Sequence, residues 1–191
     1  MKMNKKIFFF FLGTIALFSI TSCDPASQYK TELDEIESYL SRIDSLETKF
    51  DGIDFDSLNL MVEHVKENEA LIKELYQPDT LNEQFGRLMN DSKMIRKTLA
   101  DVGGFETSIG DELNAIKHQL IDLKGDILAG LFSDEQIREY IDIEKEALAK
   151  VDEVFSNFYS TQEEETRRFY DVVPKVDAFI EDLKEKSEVV E

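Results

Sequence analysis

The sequence predicts an all-α fold, an up-and-down antiparallel helical bundle or an elongated coiled-coil-like bundle of five to six helices. Three observations predict it. From Tyr29 onward the apolar residues recur at spacings of four and three, the pattern of a helix that buries one face. No stretch alternates with period two for long, so strands are not expected. Short connectors separate the first four periodic segments, which favours antiparallel neighbours. No sequence repeat of fixed period is present, so a solenoid is not inferred.

The elements follow in order. Tyr29, Leu33, Ile36, Leu40, Ile43 and Phe50 form the seam of the first segment, which stops at Asp51-Gly52. A second segment starts at Asp56 or Ser57, carries Leu58, Met61, Val65, Ile72 and Leu75 on its seam, and closes at Gln77-Pro78. Asn68 holds a seam position there, where a buried amide more often fixes register than does chemistry. Thr80-Leu81-Asn82-Glu83 has the form of a capping box and opens the third segment, with Leu81, Phe85, Leu88, Ser92, Ile95, Leu99 and Val102 inward and Gly103-Gly104 as its stop. Phe105, Ile109, Leu113, Ile116, Leu120, Leu123 and Ile127 line the fourth, which Gly110 and Gly125 interrupt.

A second capping box, Ser133-Asp134-Glu135-Gln136, begins the last stretch. Its seam runs through Ile137, Ile141, Leu148, Val151, Phe155 and Phe158, and resumes in phase at Phe169, Val172, Val176, Phe179 and Leu183. Gln162 and Glu165 fall on the seam between them, and Pro174 would cost about 3 kcal/mol in a helix interior. An interruption or kink is therefore expected between Ser160 and Pro174, although the preserved phase argues for one helix. The bundle is expected to span residues 29–186, with 187–191 as a frayed acidic tail.

Of 191 residues, 41 are Asp or Glu and 22 are Lys or Arg. Residues 1–22 contain three of the lysines and no acid, which leaves 19 basic against 41 acidic residues after them, a net charge of −22. So acidic a surface repels nucleic acid phosphates, and nucleic acid is excluded as an expected partner. Residues 80–102 are the exception at +1, and are expected to pack among acidic helices and offset their repulsion. The single cysteine excludes an intramolecular disulfide framework and a cysteine-based zinc site.

Residues 1–22 have the organisation of a targeting segment. Lys2, Lys5 and Lys6 precede an apolar run from Ile7 to Ile20, and small residues follow. Fourteen helical residues reach roughly 21 Å, short of the ~30 Å hydrocarbon core, so a removable signal is expected rather than a permanent span. Ile20-Thr21-Ser22-Cys23 resembles the lipobox of bacterial lipoprotein precursors. The resemblance implies cleavage before Cys23, diacylglycerol on its sulfur and acylation of the new amino terminus, hence a lipid anchor to the inner or outer membrane of a bacterial cell envelope. The other reading is an ordinary secreted protein with one spare thiol. Residues 23–28 are polar and turn-like and are expected to be a tether.

Chemical motifs are sparse. His64 and His118 lie on different segments and lack the Glu-x-x-His spacing of a bundle-core metal site; His64 with Glu67 one turn on reads as a surface histidine with an acidic neighbour rather than as a weak divalent site. No phosphate loop, zinc-protease motif or calcium-loop spacing occurs, and no cofactor is implied. Glu163-Glu164-Glu165 before Arg167-Arg168 reads as a solvated helix face or as a docking patch for a basic partner. Phe155, Phe158, Tyr159, Phe169 and Tyr170 cluster around the expected break and form the candidate partner patch, should they prove exposed. The expected function is a non-catalytic binding or scaffolding bundle, attached to the membrane through lipidated Cys23 and bound to another envelope protein. The alternative is a small-ligand carrier or sensor with a cavity between helices, where Asn68 or the glycines make room. An envelope hydrolase would require a histidine beside a Ser or Thr.

Overall fold

The computed structural model describes residues 24–76 and 82–188. The expected targeting segment and the lipobox-like residues 20–23 with Cys23, the Gln77-Pro78 stop, Thr80 and Leu81 of the first expected box, and residues 189–191 lie outside the described residues. Six helices follow one another: α1 Pro25–Gln28, α2 Lys30–Asp51, α3 Phe55–Leu75, α4 Glu83–Thr98, α5 Val102–Leu128 and α6 Asp134–Glu188. No strand occurs among the described residues, and no helix among them is long and apolar enough to cross a membrane.

The chain passes along the bundle three times. Helix α2 rises beside the first half of α6, and α3 continues in the same direction beside its second half, as Arg42–Asp152 and then Asn68–Asp177 contacts show. Helix α4 returns against α3, with Arg96 bound to Glu69, and α5 continues that return against α2, with Lys117 bound to Glu47. Helix α6 covers the whole length alone. At about 1.5 Å per residue its 55 residues reach roughly 80 Å. The result is two three-helix bundles end to end, sharing α6 as a spine.

Each bundle closes its own core. Ile36, Ile43 and Leu46 of α2 meet Ile109 to Ile127 of α5 and Ile137 to Phe155 of α6 in the first. Val65 of α3, Ile95 of α4 and Val176 of α6 are wholly buried at the centre of the second. The two cores join at a waist where α2 gives way to α3 and α4 to α5. Phe105 there stacks on Phe158 at a centroid separation of 3.6 Å, and Phe50 lies 5.2 Å from Phe55 and 6.4 Å from Phe155.

The termini of the helices differ in detail from expectation. The second box forms as expected, with the Ser133 N–H donating to Gln136 Oε1 at 3.0 Å and the Gln136 N–H to Ser133 Oγ at 3.4 Å. Asp54 caps α3 by accepting from the Ser57 N–H at 2.9 Å, so this helix starts earlier than Asp56. Gly103 and Gly104 do not end α4; they lie in the first turn of α5, and the break falls at residues 99–101. A Cβ on Gly104 would stand 2.4 Å from Asp101 Oδ1, so glycine admits the aspartate at the turn. Residues 25–28, expected to be turn-like, form one helical turn capped by Asp24.

The expected interruption between Ser160 and Pro174 is absent. Both signals for it were real but were outweighed. Glu165 is buried, and its Oε1 accepts from Arg168 Nη1 one turn later at 2.7 Å, so the carboxylate is partly compensated inside the same helix. Pro174 lies on the exposed face, where water can solvate the carbonyl its ring leaves without a donor, while Val172, Val173 and Val176 around it are buried. Helix α6 also continues to Glu188, past the expected limit at residue 186.

Because packing alone carries the helix through the proline, Pro174→Ala should stabilise the protein by up to about 3 kcal/mol. Denaturant unfolding of the variant against the parent measures it, and an unchanged midpoint would mean that α6 is already broken there.

Candidate functional site

Buried and half-buried polar groups from two helices converge on one carboxylate in the second bundle. Asn68 sits on the seam of α3 and is buried; its Nδ2 donates to Asp177 Oδ1 of α6 at 2.6 Å. His64, one turn earlier, meets the same carboxylate, with Nε2 at 3.0 Å from Oδ1 and 3.2 Å from Oδ2. Phe169 presents its ring to the imidazole at 6.0 Å and 67°. Asp177 thus ties two turns of α3 to α6 and fixes their axial register, as a seam amide was expected to do. Sequence spacing gave no sign of Asp177, which lies 109 residues from Asn68.

Chemically this layer is limited. His64 and Asp177 retain side-chain exposures of 43% and 41%, so water screens their interaction. The imidazole is engaged by a carboxylate and not by a hydroxyl nucleophile. Among the described residues no group of three or more His, Cys, Asp or Glu is placed to hold a metal ion. His64 turns to Asp177 rather than sharing a ligand with Glu67, and His118 is exposed on α5.

The candidate partner patch is divided between core and surface. Phe155 is buried, Phe158, Tyr159 and Phe169 are half-buried, and only Tyr170 is exposed, at 65%. Phe158 is held between Phe105 and Phe55, and Tyr159 lies 5.9 Å from Phe155 with Lys49 Nζ over its ring. Their seam spacing turns four of the five inward, so they fill the waist and the start of the second core instead of forming one exposed surface. In the neighbouring acidic run, Glu163, Glu164 and Arg167 lie on an exposed helix face, while Glu165 is buried; Arg168 binds Glu164, at 2.9 Å, and Glu165.

Cross-helix ion pairs hold the acidic helices together. Arg42 grips Asp152 through two bonds of 2.7 and 2.6 Å, which raises the guanidinium pKa and lowers that of the carboxyl. Lys117 of α5 bridges Asp44 at 2.8 Å and Glu47 at 2.6 Å, and these carboxylates push its pKa up to about 12. Lys124 pairs with Glu37. The sequence pointed to α4 as the cationic insert; α4 does contribute Arg96–Glu69, but the lysines of α5 share the role.

Among the described residues, the two main depressions open to solvent beside Gly86, and neither is lined by Asn68. A depression of about 590 Å³ is lined by Asn82, Glu83, Gly86, Arg87, Asn90 and Asp91, all from α4 and its cap, and opens to solvent. Gly110 receives the Phe50 ring, and a Cβ on Gly125 would meet nothing within 4 Å. Against family models, curated proteins and solved structures, the chain has no match.

Burial raises the pKa of Glu165, with Arg168 partly opposing it. An acid whose folded pKa lies above its unfolded value destabilises the fold as pH rises through the folded pKa, and has no such effect below the unfolded value near 4.5. Glu165→Met should therefore stabilise the protein at pH 7 by on the order of 1 kcal/mol, with the gain vanishing below about pH 4. Unfolding curves across pH 3–8 measure this, and a gain that does not depend on pH would assign it to packing alone.

Proposed function

We propose that the chain is a lipid-anchored bacterial envelope protein whose helical rod acts as a non-catalytic binding or scaffolding element for another envelope protein. The observation that carries the reading is the lipobox-like Ile20-Thr21-Ser22-Cys23 placed directly before a rod that begins at Asp24. With only one helical turn between Cys23 and α2, an acyl chain on that sulfur would hold the first bundle at the membrane.

The rod supports the scaffolding half of the reading. Apolar side chains of three helices fill each core, and apart from Asn68, Ser92 and Glu165 the buried residues are apolar. A stiff spine of roughly 80 Å presents surface at a distance from its anchor rather than enclosing a reactant. A carrier or sensor would need a preformed apolar pocket with converging polar groups. The depression on α4 is shallow, open to solvent and lined by that helix and its cap alone, so it does not enclose a ligand between helices.

Two acyl chains or more give stable membrane attachment, whereas the acidic surface gives none by itself. Cys23→Ser should accordingly shift the protein from the membrane pellet to the soluble fraction. Crosslinking in native envelopes followed by mass spectrometry would name the partner. Membrane association that persists in Cys23→Ser protein would overturn the anchoring half, and the absence of any crosslinked protein would overturn the scaffolding half.

A further inference from the structure

The end of the rod nearest Cys23 is built from three chain segments. Helix α1 lies against α5 as well as α2, and Gln28 Nε2 donates to Tyr29 Oη at 2.9 Å. Tyr29 Oη in turn donates to Asp134 Oδ1 at 2.8 Å. These contacts pin the residues that follow Cys23 beside the connection between α5 and α6. That connection is a Schellman turn: Gly130 adopts φ 68°, the Leu131 N–H donates to Asp126 O at 3.1 Å and the Gly130 N–H to Ile127 O at 3.0 Å.

The turn is unusual in what it exposes. Connections of this length favour polar residues, yet the sequence here is Leu128-Ala129-Gly130-Leu131-Phe132. Phe132 tucks inward, its ring 5.0 Å from Tyr140. Leu131 remains 65% exposed and Leu128 42% exposed, two leucines at the tip of the rod on the side where the chain continues to Cys23.

We propose that Leu128 and Leu131 insert into the bilayer interface beside the lipid on Cys23 and seat the first bundle on the membrane. This rests on the anchoring reading above. The anchor would supply the local concentration that two leucines lack on their own, because only Asp24 and one helical turn separate Cys23 from the residues packed at the tip. Charge selects the kind of surface. Asp24 caps α1, Asp126 lies in the last turn of α5, and Asp134 and Glu135 open α6, with Lys30 the basic residue at the start of α2, so the insertion is apolar and prefers zwitterionic to anionic lipid. Bundle two then projects outward, away from the membrane.

The lipidated full-length protein, reconstituted in phosphatidylcholine–phosphatidylethanolamine vesicles, provides the test. With the Cys23 thiol consumed by lipid, Leu131→Cys offers one site for a nitroxide, and Tyr170→Cys on bundle two serves as the reference. Both positions are exposed, so labels leave the cores intact. The label at 131 should collide with oxygen in preference to an aqueous nickel chelate, at a depth of roughly 5–10 Å, while the label at 170 shows the reverse. Adding anionic lipid should make the label at 131 shallower. Mass spectrometry of the Cys23 peptide separates the two failures. A lipidated Cys23 with a water-exposed label at 131 overturns the insertion and spares the anchor; an unmodified Cys23 overturns both. A label shielded from both reagents would show a second copy of the chain covering the tip, and would also overturn the insertion.

Discussion

The unbroken apolar seam of α6 is the constraint on which the rest of the structure depends. Two of the three passes along the rod are interrupted at the waist, α2 from α3 at residues 52–54 and α4 from α5 at residues 99–101. Only α6 crosses that level, so the register of one bundle relative to the other is transmitted through it. Phe155 and Phe158 at this crossing contact aromatic side chains from α2, α3 and α5, which joins the two cores into one apolar column. A break in α6 would leave the two bundles joined by the short turns and by the packing of Phe50 on Phe55 and of α5 on α3.

Charge sets the second constraint. With so large an acidic excess, parallel and antiparallel helices would repel one another unless cations lie between them. The structure places Arg42, Arg96, Lys117 and Lys124 at helix–helix boundaries, each bound to an acid of a different helix. Such partly exposed pairs contribute modestly to stability, on the order of 0.2–1 kcal/mol each. Their greater consequence is specificity, since a slipped register would oppose carboxylates to carboxylates.

Polar residues on the seams have the same logic at higher stakes. Asn68 is satisfied by Asp177. Ser92, Glu144 and Glu165 each retain a buried oxygen without a hydrogen-bond partner. Burial raises the pKa of both glutamates, so the fold tolerates groups that a purely apolar seam would replace to advantage. They interrupt an otherwise uniform apolar repeat, and a repeat without interruptions is the pattern most prone to alternative registers.

The sequence by itself determined the fold class, most of the seam and most helix boundaries, because spacings of four and three and capping boxes act within a few residues. It determined little of the polar layer, because Asp177 reaches His64 and Asn68 only once helices more than a hundred residues apart lie side by side. Nor did it decide whether α6 continues. Pro174 and Glu165 are local signals for a break, and the in-phase seam is a local signal against one. The outcome was set by burial of Val172, Val173, Val176 and Ile180 against α3 and α4, an energy distributed over two other helices. The aromatic cluster around residue 158 followed the same rule: its composition was visible in the chain, but only tertiary packing turned most of it inward.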